Sequence, residues 1–130
     1  VEYYVEKFGD EEPYGGERGY FPHRYPHAAY AAMVSYLDEQ VGEIVETLKE
    51  LGLFDNTLIM FTSDNGPTWS GGADSPWFES ARPFKSDPGW GKGNVTEAGI
   101  RVPMIAHWEG IIEAGSETDH LSAFYDVMPT

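Results

Sequence analysis

Two neighbouring side chains with hard oxygen donors, Asp64 and Asn65, occur in the stretch FTSDNGP. A carboxylate and an amide carbonyl are ligands that suit Ca²⁺ or Mg²⁺ and do not suit a thiophilic metal. Two ligands are too few for a complete site, so other oxygens would have to come from elsewhere in the protein. Because Asp-Asn-Gly-Pro is also an ordinary turn sequence, this stretch alone leaves open a turn that holds no metal.

A lysine between glycines, Lys92 in GWGKGN, is the next candidate. The glycines permit a close backbone approach, and the ammonium group supplies a point charge for an oxyanion. Residues 82–101 carry four of the eight bases and only two acids, so this window is +2 while the rest of the chain is −16. The four bases are Arg82, Lys85, Lys92 and Arg101. A positive loop on an acidic protein favours a small-anion site, with scattered surface charge as the alternative.

Composition excludes several classes of function. The chain of 130 residues has a net charge of −14, and such a surface repels nucleic acid and anionic lipid, so we expect neither as a partner. It contains no cysteine, which excludes a disulfide framework, a zinc–thiolate site and a cysteine nucleophile within it. No run of 18 apolar residues occurs, so no membrane span is predicted. The histidines lack metal-like spacing and are interpreted as structural: His23, His27, His107 and His120.

Hydrophobic periodicity predicts the elements that position these residues. Apolar residues at spacings of three and four predict an amphipathic helix over 27–51, with Gly52 ending it. The run Thr57–Ser63 has no polar alternation, which predicts a strand covered on both faces, as in a parallel sheet. Asp64 and Asn65 follow that strand, at the edge where ligands bind in open α/β sheets.

Weaker patterns predict the remaining elements. We expect a helical turn near Tyr3–Phe8, a long packed loop over 64–99 and a second strand over 100–108, with Pro103 at its start or on an edge. A last helix is predicted to begin near Asp119 or Ser122. Helix, buried strand, loop and strand together indicate the α/β class.

Two long stretches resemble the sulfatase family, within the alkaline-phosphatase-like superfamily: HAAYAAMVSYLDEQVGEIVETLKELGLFDNTLIMFTSDNGP and GKGNVTEAGIRVPMIAHWEGIIEAGSETDHLSAFYDVMPT. VEYYVEKF is similar to the segment that follows a catalytic histidine in many sulfatases. The resemblance implies a sheet sandwiched by helices, of which this chain would be the C-terminal part of the catalytic domain. Residues 1–26 would be an irregular lead-in and residues 27–130 the family-like core segment.

The resemblance implies roles for a few residues. Asp64 and Asn65 match the family's metal ligands, usually for Ca²⁺, with Mg²⁺ as an alternative. Lys92 matches the lysine that contacts the sulfate ester during catalysis. Glu97 and Arg101 would order their loop, in which Ala98 stands where the family often has glycine.

The nucleophile that the resemblance implies is a formylglycine, made from the Cys or Ser of a Cys/Ser-x-Pro-x-Arg motif. That motif is absent, because SDPGW at 86–90 has Trp90 in place of the arginine. We therefore expect the nucleophile and the other metal ligands before Val1, in the remainder of the catalytic domain, and no activity from the chain alone.

The expected substrate is a sulfated small molecule or carbohydrate, and the resemblance favours a periplasmic or secreted enzyme. Two other functions stay open. One is a phosphodiesterase or phosphonate hydrolase of the same superfamily. The other is a non-catalytic carbohydrate-binding module that stacks sugar rings on Trp69, Trp77 and Trp90.

Overall fold

The computed structural model describes residues 1–17 and 19–128. Residue 18 of the predicted lead-in and residues 129–130 of the predicted last helix lie outside them. The elements follow in this order: α1 (Glu2–Phe8), α2 (Pro26–Glu50), a 3₁₀ turn (Phe54–Asn56), β1 (Ile59–Thr62), α3 (Ser75–Phe78), α4 (Glu97–Ile100), β2 (Met104–His107) and α5 (Phe124–Val127).

The long helix α2, Pro26–Glu50, begins and ends within one residue of the predicted 27–51. Pro26 occupies the first turn, where its missing N–H is not needed. At the other end Gly52 adopts a φ of 66°. The Gly52 N–H donates to the Lys49 carbonyl at 3.0 Å, and the Leu53 N–H donates to the Leu48 carbonyl at 2.9 Å. This pair of bonds is a Schellman motif, so the predicted helix end at Gly52 is confirmed.

Most of the apolar stripe of α2 is in contact with solvent. The buried residues of this helix are Pro26, Ala28 and Ala31, all near its beginning. Further along, Met33 and Leu37 are 68% and 53% exposed. The described residues therefore cover the stripe only in part. No described helix combines the length and the apolar sequence that a bilayer crossing requires.

The two predicted strands pair with each other, and they do so antiparallel. Ile59 lies opposite His107, and Thr62 lies opposite Met104. Thr57–Ser63 therefore contains a strand, but the expectation of a parallel sheet covered on both faces is wrong for the described pair. Phe61 is 42% exposed. An unalternating apolar run reveals neither the direction of its neighbour nor what covers it.

The region 64–99 and the last helix differ in detail from the prediction. The loop contains one short helix, α3, and the start of another, α4. Helix α5 begins at Phe124, later than the predicted start near Asp119 or Ser122. The Ala123 N–H donates to the Asp126 carboxylate at 2.8 Å, and this bond satisfies a backbone donor at the helix start.

Mixed helix and strand content agrees with an α/β domain.

The lead-in is fixed to α2 through a buried carboxylate. Glu11 accepts the backbone N–H groups of His27 at 2.7 Å and Ala28 at 3.2 Å, both at the beginning of α2. The His27 ring bridges Glu11 at 3.0 Å and Asp74 at 2.8 Å, and it stacks on Trp77 with centroids 4.3 Å apart. His27 thus has structural contacts, as its sequence context predicts.

We expect the 130-residue chain, produced alone, to self-associate, because the exposed residues of the α2 stripe form an apolar surface patch. Replacing the half-exposed Leu37 by glutamate removes part of this patch without opening a cavity. Leu37→Glu should therefore lower the mass measured by light scattering and change the free energy of unfolding by less than about 0.5 kcal/mol. Glu43→Gln is the control, because it changes an exposed acidic residue of the same helix and leaves the apolar patch intact. A monomeric wild-type chain that melts cooperatively well above about 60 °C would contradict this expectation.

Candidate functional site

The Asp64–Asn65 pair lies in a turn directly after β1. The Ser63 hydroxyl donates to the Asn65 carbonyl at 2.8 Å, which closes the turn. The Asp64 side chain is exposed and Asn65 is half-buried. The two predicted ligands are thus at the end of the strand, as expected, with the carboxylate facing solvent.

The backbone of this turn is in direct contact with the loop that carries Lys92. The Gly66 N–H donates to the Gly99 carbonyl at 2.8 Å, and the Lys92 N–H donates to the Pro67 carbonyl at 2.9 Å. A Cβ on Gly66 would lie 1.7 Å from the Ala98 carbonyl oxygen. Only glycine fits between the two segments at this point.

Two further glycines also have no room for a side chain, Gly91 against the opposite segment and Gly99 within the Lys92 loop itself. A Cβ on Gly91 would lie 2.1 Å from the Pro67 oxygen, and one on Gly99 would lie 2.0 Å from the Asn94 oxygen. Gly93 differs, since a Cβ there would meet nothing within 4 Å but its φ is +86°. The expected close backbone approach beside Lys92 is therefore present at Gly91, while Gly93 serves the turn itself.

This contact brings Asn65 and Lys92 to one cavity of about 630 Å³. Arg82 and Arg101 also line it, so three of the four bases of the positive window meet there. Asp64 precedes the lining residue Asn65 in sequence but does not itself line the cavity. No carboxylate lines it among the described residues, and the cavity is consequently cationic.

The three cations of this cavity differ in their partners. Arg82 pairs with Glu79 at 2.7 Å, and Arg101 pairs with Glu97 at 3.1 Å. Among the residues that the structure describes, Lys92 has no ion-pair partner. An exposed ammonium without a carboxylate partner is available to an incoming anion. The Arg101–Glu97 pair agrees with a loop-ordering role, although Arg101 also reaches the cavity.

The oxygens of Asp64 and Asn65 suit a hard cation, but they make an incomplete set. Within the described ranges, no three His, Cys, Asp or Glu residues are grouped closely enough to hold a metal ion. Ca²⁺ takes six to eight oxygens and Mg²⁺ takes six. Any such ion at this turn needs most of its ligands from water, substrate or other parts of the protein.

A second cavity, of about 270 Å³, was not predicted from the sequence. Its lining includes three carboxylates, those of Glu12, Glu17 and Asp74. Thr68 lines the cationic cavity and Trp69 lines this one, so consecutive residues separate cavities of opposite charge. The sequence does not predict this cavity, because Glu12 and Glu17 lie in the irregular lead-in, where no periodic pattern indicates which residues meet.

The three loop tryptophans have different surroundings. Trp77 stacks on His27 and contacts Phe78 with centroids 4.6 Å apart. The Lys85 ammonium lies 4.6 Å from the ring centroid of Trp90. Trp69 lines the acidic cavity. Trp77 thus belongs to an aromatic cluster with His27 and Phe78 although it is 49% exposed, and the three tryptophan rings occupy separate places.

Comparisons with a family model and with known proteins all point to sulfatases. The family model Sulfatase matches residues 2–130. Steryl-sulfatase of Rattus norvegicus is 36% identical over 111 residues, which are 80% of this chain and 18% of that protein. N-acetylgalactosamine-6-sulfatase of Homo sapiens is 32% identical over 106 residues, 78% of this chain and 18% of that protein.

A bacterial relative matches in the same way. N-acetylgalactosamine-6-O-sulfatase of Bacteroides thetaiotaomicron is 34% identical over 122 residues, which are 82% of this chain and 24% of that protein. The chain thus spans about a fifth of the length of these relatives.

Because of the contact between the two loops, we expect alanine to destabilise the protein at Gly66 and not at Gly42. Gly66→Ala should lower the melting midpoint of the protein substantially, because overpacking of this kind typically costs about 1–3 kcal/mol. Gly42→Ala is the control, since Gly42 is exposed in α2 with nothing within 4 Å of a new Cβ. That change should stabilise the helix by about 0.5–1 kcal/mol. Equal melting midpoints for the two variants would contradict the close approach.

Proposed function

Because this chain belongs to the sulfatase family, we propose that it is a segment of the catalytic domain of a sulfuric ester hydrolase and that the sulfate ester binds in the cationic cavity. Family membership supports sulfate ester hydrolysis as the reaction. The observation that carries the location is the meeting of Lys92, Arg82 and Arg101 on one cavity without a described carboxylate. A cavity of this charge attracts a sulfate group.

Lys92 binds the sulfate in this proposal. Cleavage of a sulfate ester builds negative charge on the leaving oxygen while the sulfuryl oxygens remain charged. A cation that is held in place before the reaction stabilises this charge without reorganising. The backbone bond from Lys92 to Pro67 and the tight fit at Gly91 fix the position of the lysine backbone.

Asp64 and Asn65 are the proposed ligands of a divalent cation, Ca²⁺ or alternatively Mg²⁺. The donor set supports this, since both side chains offer hard oxygens and the Asp64 carboxylate is exposed at the strand end. When bound, such an ion supplies positive charge close to the sulfate. The remaining ligands would come from other parts of a longer protein.

The nucleophile is also proposed to lie outside this chain. The sequence has no cysteine and no Ser-x-Pro-x-Arg motif. A formylglycine formed elsewhere in the complete enzyme would approach the cavity. The chain alone would then bind an anion without turnover.

The proposed fold of the complete domain is the alkaline-phosphatase-like sandwich. The exposed stripe of α2 and the exposed Phe61 support it, because both present apolar surface that a larger sheet and further helices would cover. The relatives' names specify sulfate esters of a sterol and of N-acetylgalactosamine. The substrate proposed here is a sulfated small molecule or carbohydrate.

Lys92→Ala in the complete enzyme should lower kcat for an aryl sulfate by about 100- to 1000-fold, the usual effect of removing one preorganised stabiliser of transition-state charge. The measurement is release of the chromogenic phenol, with the matching phosphodiester and phosphonate as alternative substrates. Lys49→Ala, on the exposed surface of α2, removes the same charge away from the cavity and should have no effect. Wild-type turnover by Lys92→Ala would contradict the assignment, and preferred cleavage of the phosphorus esters would replace the sulfatase function.

Asp64→Ala should abolish activity of the complete enzyme, because it removes the carboxylate that is proposed as a ligand of the cation. Treatment with a chelator should inactivate the wild type, and added Ca²⁺ should restore it. Glu46→Ala is the control, since Glu46 is an exposed carboxylate of α2 paired with Lys49 at 2.7 Å. Full activity after Asp64→Ala would show that the turn holds no metal.

A further inference from the structure

Two guanidinium groups line the cationic cavity beside Lys92, and direct contact between the lysine and the sulfate leaves both without an assigned contact to substrate. They belong to Arg82 and Arg101. A sulfate monoester carries a single negative charge, and the cavity of about 630 Å³ is much larger than one sulfate group. The cavity therefore has both the room and the charge for a second anionic group.

The ion pairs of these arginines leave donors available. Arg82 and Glu79 are 73% and 52% exposed, and Arg101 and Glu97 are 59% and 63% exposed. Exposed pairs of this kind contribute little to stability, so a ligand can share or replace them. A guanidinium has five N–H groups, and each of the two pairs has one close contact. The free edges can form bidentate bonds with a carboxylate or a sulfate.

Local contacts hold both arginines in place. The Arg101 guanidinium lies 5.3 Å from the ring centroid of Phe84, and Phe84 lines the same cavity. The Arg82 N–H donates to the Glu79 carbonyl at 3.0 Å, and the Phe84 N–H donates to the Ala81 carbonyl at 2.8 Å. These bonds fix the backbone of the turn that presents Arg82. A cation whose backbone is fixed in advance loses less entropy on binding.

The neighbouring cavity limits where a second anion can lie. Its described lining includes the carboxylates of Glu12, Glu17 and Asp74. An anionic group would be repelled there and attracted on the arginine side. Opposite charges on adjacent cavities thus orient a substrate that has more than one anionic group.

We propose that Arg82 and Arg101 bind a second anionic group of the substrate, a carboxylate or a further sulfate, and so select sulfate esters that carry two negative groups. This inference rests on the proposed sulfatase function. It adds the class of substrate, which the family does not specify. Arg82 is the better probe, because Arg101 also orders the loop through Glu97.

The test compares three substrates of the complete enzyme: an unsubstituted aryl sulfate, the same ester with a ring carboxylate, and the same ester with a ring sulfonate. The wild type should prefer both dianionic esters. Arg82→Ala should lower kcat/KM for the dianionic esters by about 10- to 100-fold, the range for one lost charged hydrogen-bonding group, mostly through KM. The loss on the plain ester should be several-fold smaller, because its single sulfate feels Arg82 only through the overall positive charge of the cavity. The two dianionic arms show whether carboxylate or sulfonate is the better second group.

Lys85→Ala is the matched control, because it removes the same charge from the same window while Lys85 lies over Trp90 and not on the cavity. The substrate preference should survive it, and the effect of Arg82→Ala should shrink as ionic strength rises. Arg82→Lys keeps the charge and should restore part of the preference. An equal loss on all three substrates, or a wild type without preference, would overturn the inference.

A binding experiment separates this inference from the proposed function. Calorimetry with a non-hydrolysable aryl monosulfonate and its ring-carboxylated analogue measures the preference without turnover. If the wild type binds the dianion more tightly and Arg82→Ala loses this preference, the inference is supported. That holds even if no sulfate ester is hydrolysed, because absent hydrolysis would contradict only the proposed function. Equal binding of the two ligands overturns the inference even if sulfate esters are cleaved.

Discussion

The candidate site depends on a backbone-to-backbone contact between two loops. Gly66 and Gly91 lie so close to carbonyl oxygens of the opposite loop that a Cβ would approach within 1.7 and 2.1 Å of them. The two interloop bonds, Gly66 to Gly99 and Lys92 to Pro67, satisfy groups that this approach would otherwise bury without partners. Because of this contact, an amide that follows a strand and a lysine some 27 positions later line the same cavity.

The contact between the two loops gathers positive charge at one cavity of an otherwise acidic chain. The chain as a whole is −14, yet three cations and no described carboxylate line the larger cavity. An acidic exterior disfavours non-specific binding of polyanions, whereas a local cationic cavity attracts a small one. The acidic cavity beside it sharpens this contrast. The proposed preference for a small anion thus depends on where the few bases are placed.

Sequence periodicity predicted the elements that depend on local interactions. Helix α2, its end at Gly52 and the two strands were all predicted, because side-chain period and glycine conformation are properties of neighbouring residues. The antiparallel pairing of the strands was missed, since it depends on residues far apart in the chain. Residue chemistry singled out Asp64, Asn65 and Lys92, family resemblance assigned their roles, and these roles remain proposals. Arg82 gave no individual signal, because only the folded loop shows that it reaches the cavity.

The turn after β1 and the loop of Lys92 are proposed to form one site. A crystal structure of the complete enzyme with a divalent cation and sulfate is the decisive measurement. We expect the Lys92 ammonium within about 2.7–3.2 Å of a sulfate oxygen. We also expect oxygens of Asp64 and Asn65 on the cation, at about 2.0–2.6 Å depending on the metal. Sulfate bound away from Lys92, or a cation that contacts neither Asp64 nor Asn65, would show that the two loops do not form one site.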